Sequence, residues 1–564
     1  MLPPMSDSAV VPWETMIKVL TDTMTPGAPS WADWTGAFDQ SGLRQAVSLR
    51  LQLMAGAGIV VFLATYLALL PRCGWRLRLG ERQIDGRRLV LPPEGRTVAA
   101  QMLSREIGTD GSKLNLAPGV PLPSEYEVQG ILLVGAPGSG KSQILEWLMA
   151  QWLARPVTRL VVLDAGKGDF ISRWPDEDYY LLAPHDDRGL PGPHGTPQAM
   201  AWDIAGDVSG FQDAAELADR VIADSREPQW ADGARLILQG VIVGLQKTLG
   251  RSWGWRELHD AVTMSDRNLH DWIETHFPEA KSYIALDEEG NANRTSGSYI
   301  NSFRATVVKL TKPLSLAWGD VPASRRLSLR RWLLSGDQYG MARSIILGRS
   351  GQFAAMSAAW IGSVLRLMTS IVQSPVLNES RTRRVIFVLD ELRTIAVKGD
   401  SIKALVEFGR SKGVGLVVGV QTLGQLREAW EADAANNFEE IMRTKIFGRV
   451  GTTSDARAGG RAIAENICGH GNFSRWRVKT NSSNGTAATT RYQEEVRRLV
   501  VEPDFFESGV GPHARGLRAA LLLPEALCLL DWPYSDWEPV RPAIIPARWI
   551  DSLSTPERYE LRIR

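Results

Sequence analysis

Residues 130–153 read GILLVGAPGSGKSQILEWLMAQWL and decide the fold class of this chain. The apolar run ILLV comes first and is typical of a buried strand. The octapeptide GAPGSGKS at 135–142 then matches the pattern G-x-x-x-x-G-K-[ST] in full. The residues after it have the apolar spacing of a helix. A strand, a glycine-rich loop and a helix in this order predict an α/β fold with a phosphate-binding loop.

The residue types in this loop suit the binding of a nucleotide. Gly135, Gly138 and Gly140 allow backbone N–H groups to turn toward phosphate oxygens at the N-terminus of a helix. Lys141 is expected to reach the β- and γ-phosphates of ATP, and the Ser142 hydroxyl is expected to bind Mg²⁺. The alternative is a glycine-rich turn without a ligand. The residues predicted to contact the nucleotide are Gly135, Ala136, Pro137, Gly138, Ser139, Gly140, Lys141, Ser142 and Gln143.

A second part of the site is predicted at 383–391, which reads RRVIFVLDE. Five apolar residues followed by Asp-Glu place two carboxylates at the carboxyl end of a strand, where ligands bind in parallel sheets. Asp390 is expected to hold Mg²⁺ through water, and Glu391 to act as the general base toward the attacking water. The alternative is an ordinary solvated strand end.

The rest of the chain gives a domain organisation. Apolar runs at 130–134, 160–163, 344–347, 385–389 and 415–420 predict buried parallel strands. Amphipathic runs replace them between 206 and 335, which indicates a helical insertion, and the polar stretch TNSSNGTAATT at 480–490 predicts an exposed loop. The predicted parts are a leader (1–50), a membrane span (51–70), a nucleotide-binding domain in two parts (71–205 and 336–540), an inserted all-α domain (206–335) and a C-terminal tail (541–564).

The predicted transmembrane helix, 51–70, reads LQLMAGAGIVVFLATYLALL. Its 20 residues would extend about 30 Å as a helix, the thickness of a bilayer core. Residues 1–50 carry three basic and five acidic side chains, whereas residues 72–96 carry seven basic and three acidic ones. This single apolar stretch predicts a single-pass protein. Since positive flanks stay in the cytoplasm, we expect its long C-terminal part inside the cell. The alternative for 51–70 is a buried core helix.

Composition excludes several classes of protein. The 564 residues include 64 Lys and Arg against 63 Asp and Glu, so a protein that coats nucleic acid by positive charge alone is excluded. An apolar fraction of 44% rules out wholesale disorder. Three distant cysteines make a disulfide framework improbable. We therefore expect any contact with nucleic acid to be local. The phosphate-binding loop and the LDE strand end predict ATP and Mg²⁺ as cofactors.

Together these motifs resemble the coupling proteins of type IV secretion and conjugation, the TraD/TrwB/TraG type. Besides the loop and the LDE strand, the resemblance rests on VVLDAGKGDF (161–170), EFGRSKGVGLVVGVQTLGQL (407–426) and EEVRRLVVEPDFF (494–506). It implies a RecA-like P-loop NTPase core with an inserted all-α domain, preceded by an N-terminal transmembrane helix. It also implies a homo-hexamer at the bacterial inner membrane. Such a ring would use ATP to move single-stranded DNA with its relaxase toward the secretion channel proteins. The complex of DNA and relaxase, the relaxosome, would be its partner.

The resemblance also implies roles for two further residues. Gln421 matches the γ-phosphate sensor of such motors, and Arg410 matches their arginine finger, which acts on a neighbouring subunit's nucleotide. The alternatives are a strand-end hydrogen bond for Gln421 and a surface salt bridge for Arg410. Three other functions stay open: a coupling ATPase for protein effectors, a DNA pump of the FtsK/HerA type, and a membrane receptor platform that turns over little ATP.

Overall fold

The computed structural model describes residues 81–106, 114–192, 195–222, 228–335, 340–392, 399–430, 432–451, 454–483 and 486–551. These residues belong to one unit, Arg78–Arg564. The predicted leader and the predicted span 51–70 lie outside the described residues.

Eighteen strands are present in the described ranges. In chain order they are β1 Glu81–Asp85, β2 Arg88–Val90, β3 Asn115–Ala117, β4 Val120–Pro121, β5 Ile131–Val134, β6 Thr158–Asp164, β7 Tyr179–Leu182, β8 Ala201–Trp202, β9 Arg326–Leu327, β10 Ser344–Gly348, β11 Arg384–Leu389, β12 Val414–Val420, β13 Thr444–Phe447, β14 His470–Ser483, β15 Thr486–Leu499, β16 Gly511–His513, β17 Gly516–Leu522 and β18 Ala526–Trp532.

The α-helices alternate with these strands except in one long helical region. They are α1 Glu94–Ser104, α2 Lys141–Leu153, α3 Asp169–Arg173, α4 Ile204–Asp207, α5 Phe211–Val221, α6 Pro228–Leu249, α7 Trp255–Val262, α8 Asp266–His276, α9 Arg294–Trp318, α10 Leu329–Ser335, α11 Ala354–Gln373, α12 Gly399–Lys412, α13 Leu423–Ala429, α14 Ala432–Ile441, α15 Ser454–Ala462, α16 Phe505–Ser508 and α17 Arg548–Asp551.

A mixed sheet of eleven strands forms the centre of the structure. Its parallel part has the order β7-β10-β6-β11-β12-β5-β13. The strands β17 and β18 extend it with antiparallel pairs, and β2 and β16 pair with them at that side. All five predicted parallel strands are confirmed as β5, β6, β10, β11 and β12. Their apolar side chains are buried because helices cover the sheet.

The helical region lies between β8 and β9, which pair in parallel as a short neck. Asp207, at the end of α4, accepts hydrogen bonds from Trp202 Nε1 (2.8 Å), Leu329 N (2.9 Å) and Arg330 N (3.0 Å). It also accepts one from the Ser328 hydroxyl at 2.6 Å. The buried carboxylate of Asp207 therefore connects the segment that enters the helical region at β8 with the segment that leaves it at β9.

Helix α11 packs against α5, α9 and α10 of the helical region and against α12. It is the one helix within the described ranges that is long and apolar enough to cross a membrane by composition. Seventy-two per cent of its most apolar window is buried inside the fold. This burial explains its apolar composition as that of a core helix.

One prediction about an irregular segment was wrong. The stretch 480–490 was predicted as an exposed loop, but its described residues, 480–483 and 486–490, belong to the paired strands β14 and β15, in which Thr480 pairs with Thr489. The backbone hydrogen bonds of these strands override the low strand propensity of residues such as Asn481 and Ser482. Within the predicted tail, Arg541 Nη1 donates to the Tyr179 hydroxyl (2.7 Å) and Trp549 Nε1 donates to Pro184 O (2.6 Å).

Candidate nucleotide-binding site

The glycine-rich loop connects β5 to α2 at the carboxyl end of the parallel strands. It is held by Gly135 N, which donates to Val420 O (3.0 Å), and by Ala136 N, which donates to Arg449 O (2.8 Å). Gly138 and Gly140 have φ values of 73° and 92°, which favour glycine. A Cβ on Gly140 would lie 2.4 Å from a Leu517 methyl carbon, whereas a Cβ on Gly138 would meet nothing within 4 Å. The loop is therefore tightly packed behind and open in front, where a phosphate would lie.

Lys141 is the first residue of α2 and folds back over the loop. Its Nζ donates to Gly135 O at 2.5 Å, and the side chain is buried. Burial lowers the pKa of Lys141, while the nearby carboxylates of Asp390 and Glu391 act in the opposite direction. A buried ammonium group has lost most of its hydration. Binding of an anionic ligand therefore stabilises it more than it would stabilise an ammonium group in water.

Ser142 and Asp390 form the predicted metal pair. The Ser142 hydroxyl donates to Asp390 Oδ2 at 3.3 Å. Asp390 Oδ1 is buried and has no hydrogen-bond partner within the described part of the chain. Burial raises the pKa of Asp390, an effect that a nearby cation would oppose. A hydroxyl beside a buried carboxylate oxygen without a donor fits the oxygen ligands that Mg²⁺ prefers.

Glu391 and Gln421 meet at the ends of the neighbouring strands β11 and β12. Gln421 Nε2 donates to Glu391 Oε1 at 3.1 Å, and Gln425 Nε2 donates to Gln421 Oε1 at 3.4 Å. Glu391 has φ 56°, and no other residue except glycine has a positive φ in the described ranges. Left-handed backbone at a residue with a side chain costs of the order of 1–3 kcal/mol and clusters at functional sites.

Lys141, Ser142, Asp390 and Glu391 line a cavity of about 550 Å³. Gln421 is not one of its lining residues and is linked to it through the hydrogen bond to Glu391. Asp164, Lys167 and Arg173 form another part of its wall. Burial raises the pKa of Asp164 to about 6, although the carboxylate accepts hydrogen bonds from Gly168 N (3.0 Å) and Ile171 N (2.9 Å). The predicted nucleotide contacts that line the cavity are Ala136, Pro137, Gly138, Gly140, Lys141, Ser142, Gln143 and Asp390.

Gly135 and Ser139 do not line the cavity. A Cβ on Gly135 would lie 2.5 Å from the Ser139 hydroxyl oxygen, so both residues form the rear of the loop. The sequence motifs gave no indication of a further group of lining residues near the C-terminus. The one available signal was the density of aromatic residues and prolines in DWPYSDWEP at 531–539. This group consists of Pro512, Tyr534, Ser535, Trp537, Glu538 and Pro539.

Arg410 does not line this cavity. It lies near the end of α12 and its side chain is 63% exposed. Its guanidinium is 3.8 Å from the carboxylate of Glu125, which is more exposed still. An ion pair this open to water contributes little, so the guanidinium is available to another partner.

The comparisons with known proteins agree with this architecture. A family model for the DNA-binding domain of type IV secretion-system coupling proteins matches residues 114–509, more than half of the chain. No curated protein sequence matches the chain.

Solved structures of coupling proteins share the fold. The unbound bacterial conjugative coupling protein TrwBdeltaN70 is 20% identical with a TM-score of 0.61, and the alignment covers 83% of this chain and 97% of that one. The plasmid coupling protein TrwB in complex with ADP and Mg²⁺ is also 20% identical, with a TM-score of 0.62 and the same coverage. Its complex with a non-hydrolysable ATP analogue is 21% identical, with a TM-score of 0.61 over 83% and 98% of the two chains. On the family match, this chain belongs to the type IV secretion-system coupling proteins.

Proposed function

We propose that this protein is an inner-membrane coupling ATPase that drives single-stranded DNA through a type IV secretion system during conjugation. The observation that carries the proposal is the convergence of Lys141, Ser142, Asp390 and Glu391 on one cavity in a chain of this family, with Gln421 hydrogen-bonded to Glu391. The TrwB structures with ADP and Mg²⁺ and with a non-hydrolysable ATP analogue support nucleotide binding by this chain.

Each residue has a chemical task in the proposed reaction. Lys141 would exchange its bond to Gly135 O for the β- and γ-phosphates. Ser142 and Asp390 would hold Mg²⁺, which when bound neutralises charge on those phosphates. Glu391 would accept a proton from the attacking water, and Gln421 would keep the Glu391 carboxylate and that water in line.

The proposal includes an assembly and a place in the cell. A predicted span at 51–70 would hold the ATPase domain at the cytoplasmic side of the inner membrane. A homo-hexamer would bring Arg410 to the nucleotide of the adjacent subunit, which its exposed position on α12 permits. The relaxase with its DNA strand and the secretion channel proteins would be the partners.

Substituting the loop lysine tests the proposal. Lys141→Ala should reduce ATP hydrolysis by at least about a hundredfold, because positioning and charge stabilisation at the phosphates depend on it. The readouts are DNA-stimulated turnover by the detergent-solubilised full-length protein and plasmid transfer between cells.

Lys309→Ala is the matched control, because Lys309 is an exposed lysine on α9 and does not line the cavity. It should hydrolyse ATP and support transfer like the wild type. Normal plasmid transfer by Lys141→Ala at wild-type protein levels would overturn the proposed function.

A further inference from the structure

One wall of the cavity comes from a segment far from the phosphate-binding loop in sequence. After β18 ends at Trp532, residues 533–541 leave the sheet and cross the first turn of α2; we name this segment the C-terminal strap. Ser535 N donates to Gln143 Oε1 at 2.6 Å, directly beside the loop. At the far end Val540 N donates to Ser172 O at 2.9 Å on α3. The strap is thus fastened on both sides of the cavity.

The aromatic side chains of the strap are held in place by specific contacts. The Tyr534 hydroxyl donates to His513 O at 2.8 Å. The Trp537 ring meets Trp174 edge to face, with ring centroids 5.7 Å apart, and Trp537 N donates to the Ser535 hydroxyl at 3.1 Å. These contacts fix the rings before any ligand arrives, which lowers the entropic cost of binding.

The two aromatic residues differ in burial. Trp537 packs on Trp174, which is fully buried, and so extends the hydrophobic core. Tyr534 is 48% exposed although its hydroxyl is already bonded. Core packing therefore does not account for the free face of the Tyr534 ring, which borders the cavity.

The cavity thus has two chemically different walls. Lys141, Ser142 and Asp390 supply a cation and metal ligands for phosphates. The strap and Pro512 supply aromatic and prolyl faces. A ligand with a polyphosphate at one end and a flat aromatic ring at the other, a nucleoside triphosphate, matches both walls.

We propose that the C-terminal strap is the base subsite of the nucleotide site and that Tyr534 stacks on the base. This rests on the proposed function, since the loop must bind the triphosphate for the strap to meet the base. The subsite adds affinity for the nucleoside part of the ligand and none for its phosphates.

Substituting Tyr534 separates the base from the phosphates. Tyr534→Ala should bind the β,γ-imido analogue of ATP with Mg²⁺ about tenfold more weakly, the size of one base–aromatic stack. It should bind inorganic tripolyphosphate with Mg²⁺ as the wild type does. Tyr534→Phe keeps the ring and loses only the hydroxyl bond to His513 O. It should bind the ATP analogue more tightly than Tyr534→Ala does, and it should bind tripolyphosphate like the wild type.

Tyr492→Ala is the matched control, since Tyr492 is a tyrosine of similar exposure (43%) on the β14–β15 hairpin and outside the cavity wall. Titration calorimetry on the full-length protein in detergent gives all the affinities. Unchanged affinity of Tyr534→Ala for the ATP analogue, or equal weakening for both probes, would overturn the base subsite. A wild-type protein that binds neither probe would overturn the proposed function together with it.

Discussion

Glu391 combines a strained backbone with a hydrogen bond from Gln421. Glu391 lines the cavity, and the Gln421 amide holds one of its carboxylate oxygens. Glu391→Gln retains the oxygen that Gln421 can bond and removes the basic group. We expect the variant to bind Mg²⁺-ATP like the wild type and to hydrolyse it about 10²- to 10⁴-fold more slowly. Rapid hydrolysis by Glu391→Gln in single-turnover assays would assign the base elsewhere.

Asp164 gives a pH-dependent prediction because burial raises its pKa from the ordinary 3.8 to about 6. The folded state then holds the proton more tightly than the unfolded chain. The stabilisation from this group is complete below about pH 4 and is lost as the pH rises through about 6. Relative to Asp164→Asn, the wild type should lose about 2 kcal/mol of unfolding free energy between pH 4 and pH 7. Parallel stability curves for the two proteins in thermal unfolding would contradict this.

Local sequence was sufficient for most of the residues at the phosphate end. The loop and the LDE strand end are contiguous, so their chemistry is visible in a few letters. Tyr534 and Trp537 were not predictable in this way, because they reach the cavity only through the fold, some 390 residues after the loop. Nothing in a single sequence indicates which distant segment covers a pocket.

At the scale of elements, the neck of the helical region depends on Asp207. Asp207→Ala would leave Trp202 Nε1, Leu329 N and Arg330 N without their acceptor, at about 1–3 kcal/mol for each buried donor. We expect destabilisation of at least about 3 kcal/mol, together with faster proteolysis between residues 203 and 335. The measurements are thermal unfolding and limited trypsin digestion of the full-length protein.

Asp320→Ala is the control for this neck variant. Asp320 is an exposed carboxylate in the same region whose partner is Arg256. Its loss should change stability by less than about 1 kcal/mol, as is usual for an exposed ion pair. Equal stability of the two variants would show that the neck does not depend on Asp207.

Buried tryptophans explain why the helical region is stable on the sheet. Trp202, Trp255, Trp318 and Trp360 form a continuous series of ring contacts, with successive centroids 5.5, 6.3 and 5.6 Å apart. The series leads from the neck through α7 and α9 to α11. Aromatic ring contacts add of the order of 0.5–1.5 kcal/mol each beyond the area they bury.

The elements that sequence predicted and those that it missed differ in one physical respect. The strands β5, β6, β10, β11 and β12 are short apolar runs that are buried on both faces, so composition identifies them. By contrast, the β14–β15 hairpin has a polar sequence and forms through cross-strand hydrogen bonds along 14 residue pairs. Pairing of that kind is not visible in local hydropathy.

At the scale of the whole molecule, the near-zero net charge of +1 agrees with a ring that contacts DNA locally. In the proposed ring, a neighbouring subunit would complete each nucleotide site. The described residues of one chain supply the loop, the proposed metal ligands Ser142 and Asp390 and the proposed general base Glu391, whereas Arg410 lies outside the cavity wall. A cyclic assembly joins two different surfaces of adjacent copies, so one copy can offer Arg410 to the site of the next.

Mixed rings test this arrangement. Arg410→Ala alone should bind Mg²⁺-ATP normally and lose about 10³-fold in turnover, and Lys141→Ala alone should not hydrolyse ATP. When the two inactive proteins are mixed and reassembled, an Arg410→Ala site beside a Lys141→Ala neighbour regains both groups. With random assembly about a quarter of the sites should recover, because one subunit order in four is productive. Turnover that stays at the level of the separate variants, with mixed rings verified by two affinity tags, would place the role of Arg410 within its own chain.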